Sequence, residues 1–179
     1  MAAFNKISVL TKSLCCGAAI ISSFFCNFSY AQPQQSSRYT ETTTTVIVTA
    51  KDGYGKESKD NIVVTIFKPT SGEGPFPAIV VNHGRPDDAL RATMVRTRFS
   101  NISPYLIDKG FVVIVPTRLG YGNQTASGDP EQFGFCNNPV FQAAFEADES
   151  QVLGVVDVVK TLPYVIPDQI FLIGGSVGG

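Results

Sequence analysis

The sequence predicts an α/β architecture: a mostly parallel sheet with helices on both faces and an antiparallel hairpin at its amino-terminal edge. Three observations predict it. Short, unbroken apolar runs recur at Phe76–Asn82 (FPAIVVN), Phe111–Val115 (FVVIV) and Gln169–Ile173 (QIFLI), the pattern of strands buried on both faces. Segments with helical periodicity alternate with these runs, as βα units require. Two β-branched runs come first, separated only by turn residues.

The elements follow in chain order. Residues 1–31 carry Lys6 and Lys12, no acid, an apolar stretch from Leu14 to Phe28, and the small-residue ending Ser29-Tyr30-Ala31. That layout is a secretory signal peptide with cleavage expected near Ala31, hence a secreted or periplasmic product. Ser22, Ser23 and Asn27 interrupt an already short run, so no stable membrane anchor is expected. Residues 32–42 read as a polar linker and 43–179 as the folded domain. Removal of the leader leaves Cys136 as the remaining cysteine, without an internal disulfide partner.

Thr43–Ala50 and Asn61–Lys68 read as paired strands around a turn at Asp52-Gly53 and Gly55. A helix is expected over Asn101–Lys109, capped by Asn101, with Pro104 in its first turn and Gly110 as its stop. Pro116–Asn138 reads as a long Gly-rich loop. The clearest helix is Glu146–Leu162, where Val152, Val155, Val156, Val159 and Leu162 share one face. Asp148 with Gln151 resembles a capping box at its start.

Composition excludes several classes. The chain has 179 residues, 44% hydrophobic and 16% charged, which is too apolar for disorder. Its net charge of −1, with no Lys/Arg cluster, gives no electrostatic case for nucleic acid.

Chemistry enters at the last strand, which opens onto Gly174-Gly175-Ser176-Val177-Gly178-Gly179. G-x-S-x-G directly after a strand makes a sharp turn that strains and exposes the serine at the sheet's carboxyl edge; Gly174 and Gly178 permit the turn. Ser176 Oγ is then free to attack a carbonyl, and the Val177 N–H can stabilise the resulting oxyanion. The loop after the third strand, Asn82-His83-Gly84-Arg85-Pro86, occupies the place of a second oxyanion donor.

On VVNHGRP (Val80–Pro86), FVVIVPTRLGYG (Phe111–Gly122), the helix before the turn and GGSVGG (Gly174–Gly179), the chain resembles the α/β-hydrolase superfamily. It is most similar to the secreted dienelactone-hydrolase-like and prolyl-oligopeptidase-like serine hydrolases. The resemblance implies Ser176 as nucleophile, backbone oxyanion donors from Val177 and from Gly84–Arg85, a small-molecule ester or peptide substrate, and no metal or organic cofactor. In that family an Asp or Glu and then a His follow the serine. Here the one histidine, His83, precedes it. The triad acid and base are therefore expected in sequence beyond Gly179, and the domain is expected to stop after the elbow. The alternative is a non-catalytic truncated product or a secreted binding module on a hydrolase scaffold.

Other readings are weighed beside these. His83 either shapes its loop or is recruited as the base; the first is preferred. A phosphate cradle at Gly174–Gly179 would need glycine where Ser176 stands. Arg85, Asp87, Asp88 and Arg91 read as solvated surface or as substrate-orienting groups bordering the pocket. Arg118 and Tyr121, at the fourth strand's carboxyl end, carry the same suspicion. Asp87, Asp88, Asp129 and Glu131 are not at the family's acid position and receive no triad role.

Overall fold

In the computed structural model the described residues are 34–35, 38–122, 128–135 and 137–179, so the expected leader and Cys136 lie outside them. Strand β1 is Gln34–Gln35, β2 Tyr39–Lys51, β3 Glu57–Pro69, β4 Phe76–Asn82, β5 Val112–Thr117 and β6 Val165–Gly174. Helix α1 is Asp88–Thr93, α2 Ser103–Asp108 and α3 Phe141–Val159. The strands form one mixed sheet in the order β1-β2-β3-β5-β4-β6. β1 to β3 and the β3–β5 pair are antiparallel, whereas β4 is parallel to both β5 and β6. The expected α/β sheet with an antiparallel hairpin at its amino-terminal edge is present; its parallel pairs are β4–β5 and β4–β6, and β3 joins the hairpin to β5 in antiparallel fashion.

The hairpin is longer than its β-branched runs suggested. β2 and β3 are 13 residues each and pair from Tyr39↔Pro69 to Lys51↔Glu57. The turn closes tightly because Asp52 Oδ1 accepts from the Tyr54 and Lys56 amides, both at 2.9 Å. β4 and β5 are buried on both faces, which explains their unbroken apolar runs. Ala78, Val80, Val112 and Ile114 face α3, while Ile79, Val81, Val113 and Val115 face α2.

The helices depart from expectation at their starts. Asn101 does not cap α2; Ile102 holds that position without a side-chain cap, and its amide donates to the Phe99 carbonyl at 3.0 Å. Pro104 lies in the first turn and Gly110 stops the helix at φ +87°, both as expected. α1 was not foreseen. It is capped by Asp87, whose Oδ1 accepts from the Leu90 amide at 2.9 Å. α3 begins at Phe141 rather than Glu146, so Asp148 and Gln151 are not a capping box: both are buried inside the helix, on its core-facing stripe. Among the described residues no helix is long and apolar enough to cross a membrane.

Candidate functional site

Topology selects the site before any side chain does. From β4 the chain crosses by way of α2 on one face to β5, and from β5 by way of α3 on the other face to β6. β5 and β6 therefore flank β4 on opposite sides. Such a point, where connections diverge, leaves a crevice at the strands' carboxyl ends. The loop after β4 (Asn82–Pro86), the loop after β5 (Arg118 onward) and the turn after β6 all emerge there.

The turn after β6 is sharp. Ser176 has φ +59°, a left-handed backbone that non-glycine residues seldom adopt. Ser176–Gly178 forms a single 3-10 turn, with the Gly178 amide donating to Gly175 O at 3.2 Å and the Gly179 amide to Ser176 O at 3.1 Å. Two glycines are sterically required. A Cβ on Gly174 would overlap the Gly178 carbonyl oxygen, and one on Gly178 would overlap the His83 carbonyl oxygen. The β4 loop presses on the serine itself. A Cβ on Gly84 would lie 2.9 Å from the Gly175 carbonyl oxygen and 3.0 Å from Ser176 Cβ. Ser176, Val177, Gly174, Gly178 and Gly84 are thus brought together. An open cleft of about 370 Å³ adjoins the turn, between α3 and β6, lined by Phe145, Val152, Leu153, Leu172 and Val177.

Beneath the turn lies a polar network that sequence reasoning did not assemble. The Asn82 carboxamide donates to Asp148 (3.0 and 3.1 Å) and to the Gly178 carbonyl (2.9 Å). Its oxygen accepts from Arg118 Nη1. The fully buried Arg118 pairs with Glu131 at 2.6 Å and Asp148 at 2.8 Å, and also donates to the His83 carbonyl. Tyr121 Oη donates to Glu131 at 2.9 Å, and the Leu119 amide donates to Gln151 Oε1 at 2.7 Å. Burial pushes the Asp148 carboxyl up to about 6, against the pull of Arg118. The signal for this network was present in the sequence: Asp148 and Gln151 fall on the stripe of Val152 and Val155, and a polar group on a buried face needs partners.

His83 is built into its loop. Its Nε2 accepts from the Arg118 backbone amide at 3.2 Å, which leaves Nδ1 as donor to the Gly84 carbonyl at 2.9 Å. Burial, and then the Arg118 charge, push its pKa down to about 3. The ring is neutral with both nitrogens engaged, so it does not serve as the base for Ser176.

Arg85 and Arg91 are not free surface groups. Arg85 grips Asp129 through two bonds, at 2.5 and 3.0 Å, and Arg91 reaches Asp129 at 3.2 Å and the Gly120 carbonyl at 2.6 Å. They fasten the loop after β5 to the loop after β4. Asp87 caps α1, and Glu131 neutralises Arg118. Among the described residues no three His, Cys, Asp or Glu side chains converge to hold a metal ion.

No known family and no curated relative matches the sequence. Solved structures do resemble the fold. Dipeptidyl peptidase 4 of Porphyromonas gingivalis superposes with a TM-score of 0.53 at 20% identity, covering 79% of this chain and 18% of that one. Acetyl xylan esterase 1 of a Thermoanaerobacterium species superposes with a TM-score of 0.50 at 15% identity, covering 82% of this chain and 44% of that one. The chain spans less than half the length of either protein. At these identities the likeness shows the fold alone, an α/β-hydrolase-type scaffold.

Proposed function

We propose that the chain is the amino-terminal part of a secreted serine hydrolase that cleaves ester, lactone or peptide bonds through an acyl-enzyme. Ser176 is the nucleophile, and the backbone N–H groups of Val177 and of Gly84 or Arg85 bind the oxyanion. One observation carries this reading: a strained serine, φ +59°, directly after β6, with the glycine loop of β4 packed against it. Strain of that kind at a non-glycine residue points towards function.

The chemistry is acyl transfer. Ser176 Oγ bonds to the substrate carbonyl carbon while its proton passes to a base. The carbonyl oxygen, now negative, is held by backbone donors. Collapse breaks the bond to the leaving alcohol or amine, which takes the proton. Water then repeats the sequence on the acyl-enzyme and frees Ser176. A serine hydroxyl needs a base to become a good nucleophile, and His83 is occupied. The acid and base of the proposed triad are therefore assigned to none of the described residues.

The test is active-site labelling of the exported product of the whole reading frame with a fluorophosphonate, mapped by mass spectrometry. The expected result is one adduct, on Ser176, absent from Ser176→Ala, on a chain whose mature end is Gln32. Labelling elsewhere, or none, overturns the nucleophile assignment.

A further inference from the structure

We propose that Asn82 is a positioning residue for the Ser176 turn: its carboxamide holds the Gly178 carbonyl, and so sets where Ser176 Oγ and the following amides point. This rests on Ser176 being the nucleophile.

Among the described residues, Asn82 links the buried charge cluster to the turn through its side chain. Its orientation is fixed by its neighbours. A guanidinium has no acceptor and a carboxylate has no donor. Arg118 Nη1 against one side of Asn82 and Asp148 against the other therefore settle which atom is oxygen and which is nitrogen. A flipped amide would set donor on donor and acceptor on acceptor. With Nδ2 so placed, one of its two hydrogens goes to Asp148 and the other to Gly178 O at 2.9 Å.

The held carbonyl is well chosen. Gly178 closes the turn that begins at Ser176, and its backbone packs on the His83 carbonyl with no room for a Cβ. Asn82 ends β4, which is paired on both sides, by β5 and by β6, and is buried with 7% exposure. A strained serine keeps its conformation only when its surroundings over-determine it. The Asn82 bond supplies part of that constraint, from the same strand end whose next residues press on Ser176 Cβ.

The experiment uses the exported product of the whole reading frame, with the fluorophosphonate labelling rate at Ser176 as one readout and urea midpoints as another. Asn82→Ala should slow labelling about ten- to a hundredfold, the scale of a small displacement of a reacting group. The decisive variant is the exchange Asn82→Asp with Asp148→Asn. It keeps the charge count, the Arg118 pairing and a bond between positions 82 and 148, but it presents no donor to the Gly178 carbonyl. The expected result is a midpoint restored towards wild type with labelling still slow. Labelling restored along with stability means that Asn82 is merely structural, and overturns the proposal.

If the wild-type protein itself is not labelled, the hydrolase reading fails on its own. Positioning is then read from amide hydrogen exchange. Faster exchange at Gly178 and Gly179 in the double variant supports it, and unchanged protection overturns it.

Discussion

Two of the charge clusters that fasten this fold are built in opposite ways. At the hairpin one carboxylate, Glu41 of β2, receives two arginines, Arg96 and Arg98, from the segment between α1 and α2. Beneath the Ser176 turn one guanidinium, Arg118, is shared by two carboxylates, Glu131 and Asp148. In the first cluster the acid is buried but the arginines are 35% and 37% exposed. In the second, Arg118 and Glu131 are fully buried and Asp148 nearly so. The difference teaches where rigidity is needed. Arginines that touch water can rehydrate when their partner is lost, whereas buried carboxylates cannot, so the cost of disruption concentrates under the turn.

The largest expected effect tests that contrast directly. Arg118→Ala leaves two buried carboxylates without a counter-charge and the Asn82 oxygen without the donor it now has. Breaking such a buried pair by removing one partner costs about 3–5 kcal/mol. Urea denaturation at pH 7 should show the midpoint falling with little change in slope. A loss below about 2 kcal/mol, on the scale of an ordinary net hydrogen bond, would break the comparison.

Neither cluster was legible in the sequence, although the fold and the turn were. The fold was readable because β4 and β5 are apolar at every residue that meets a helix, and the alternation of such runs with helical stripes admits few topologies. The turn was readable because glycines flanking Ser176 are a local requirement of close backbone approach. The network was not read, because its members come from three separate segments: Asn82 at the end of β4, Arg118 and Glu131 in the loop after β5, and Asp148 in α3. Spacing along the chain says nothing about their meeting. Asp148 was mistaken for a cap because an acid at the expected start of a helix has an ordinary local explanation, and that explanation failed once α3 was seen to begin at Phe141. Glu41 was hidden likewise: it falls in the stretch 32–42 that reads as a polar linker, where nothing points to Arg96 and Arg98.

A second prediction sharpens the comparison through pH. Burial raises the Asp148 carboxyl from 3.8 to about 6, so the folded protein takes up that proton first and this group adds stability as pH falls through that window. Burial, and then Arg118, depress His83 from 6.5 to about 3, so the unfolded chain takes up that proton first and stability is lost as pH falls. Between about pH 6 and 3.8 the two contributions run in opposite directions and offset each other. Asp148→Asn removes the first and leaves the second. The stability of wild type relative to this variant should therefore grow as pH falls, by about 1.4 kcal/mol per pH unit and by about 3 kcal/mol across the window. Urea midpoints at half-unit steps from pH 7 to pH 4 measure it. A difference that stays constant over the window would remove Asp148 from the titration of this site.

The smallest effect belongs to the hairpin cluster. Glu41→Gln keeps the size of the side chain and one acceptor, but it removes the charge and turns an NH₂ towards one of the arginines. Arg98 now meets Glu41 through Nε at 2.7 Å and Nη2 at 2.5 Å, and Arg96 also donates from Nε to Thr65 Oγ1 at 3.0 Å. Arg96 therefore keeps one bond in the variant, and Arg98 keeps its place over the Phe67 ring, 6.0 Å from its centre. Both heads can turn to water. The expected loss is about 1–2 kcal/mol, the range of a charge-assisted hydrogen bond partly replaced. Because the arginines are exposed, the gap between variant and wild type should shrink in 1 M salt, where screening acts within about 3 Å; the gap for Arg118→Ala, out of reach of ions, should not. Labelling of Ser176 should be unchanged, since Glu41 meets Arg96 and Arg98 at the hairpin, whereas the turn is held by Asn82 of β4. A Glu41→Gln variant that lost as much stability as Arg118→Ala, with no response to salt, would show that exposure of the partners does not decide what a buried charge is worth in this fold.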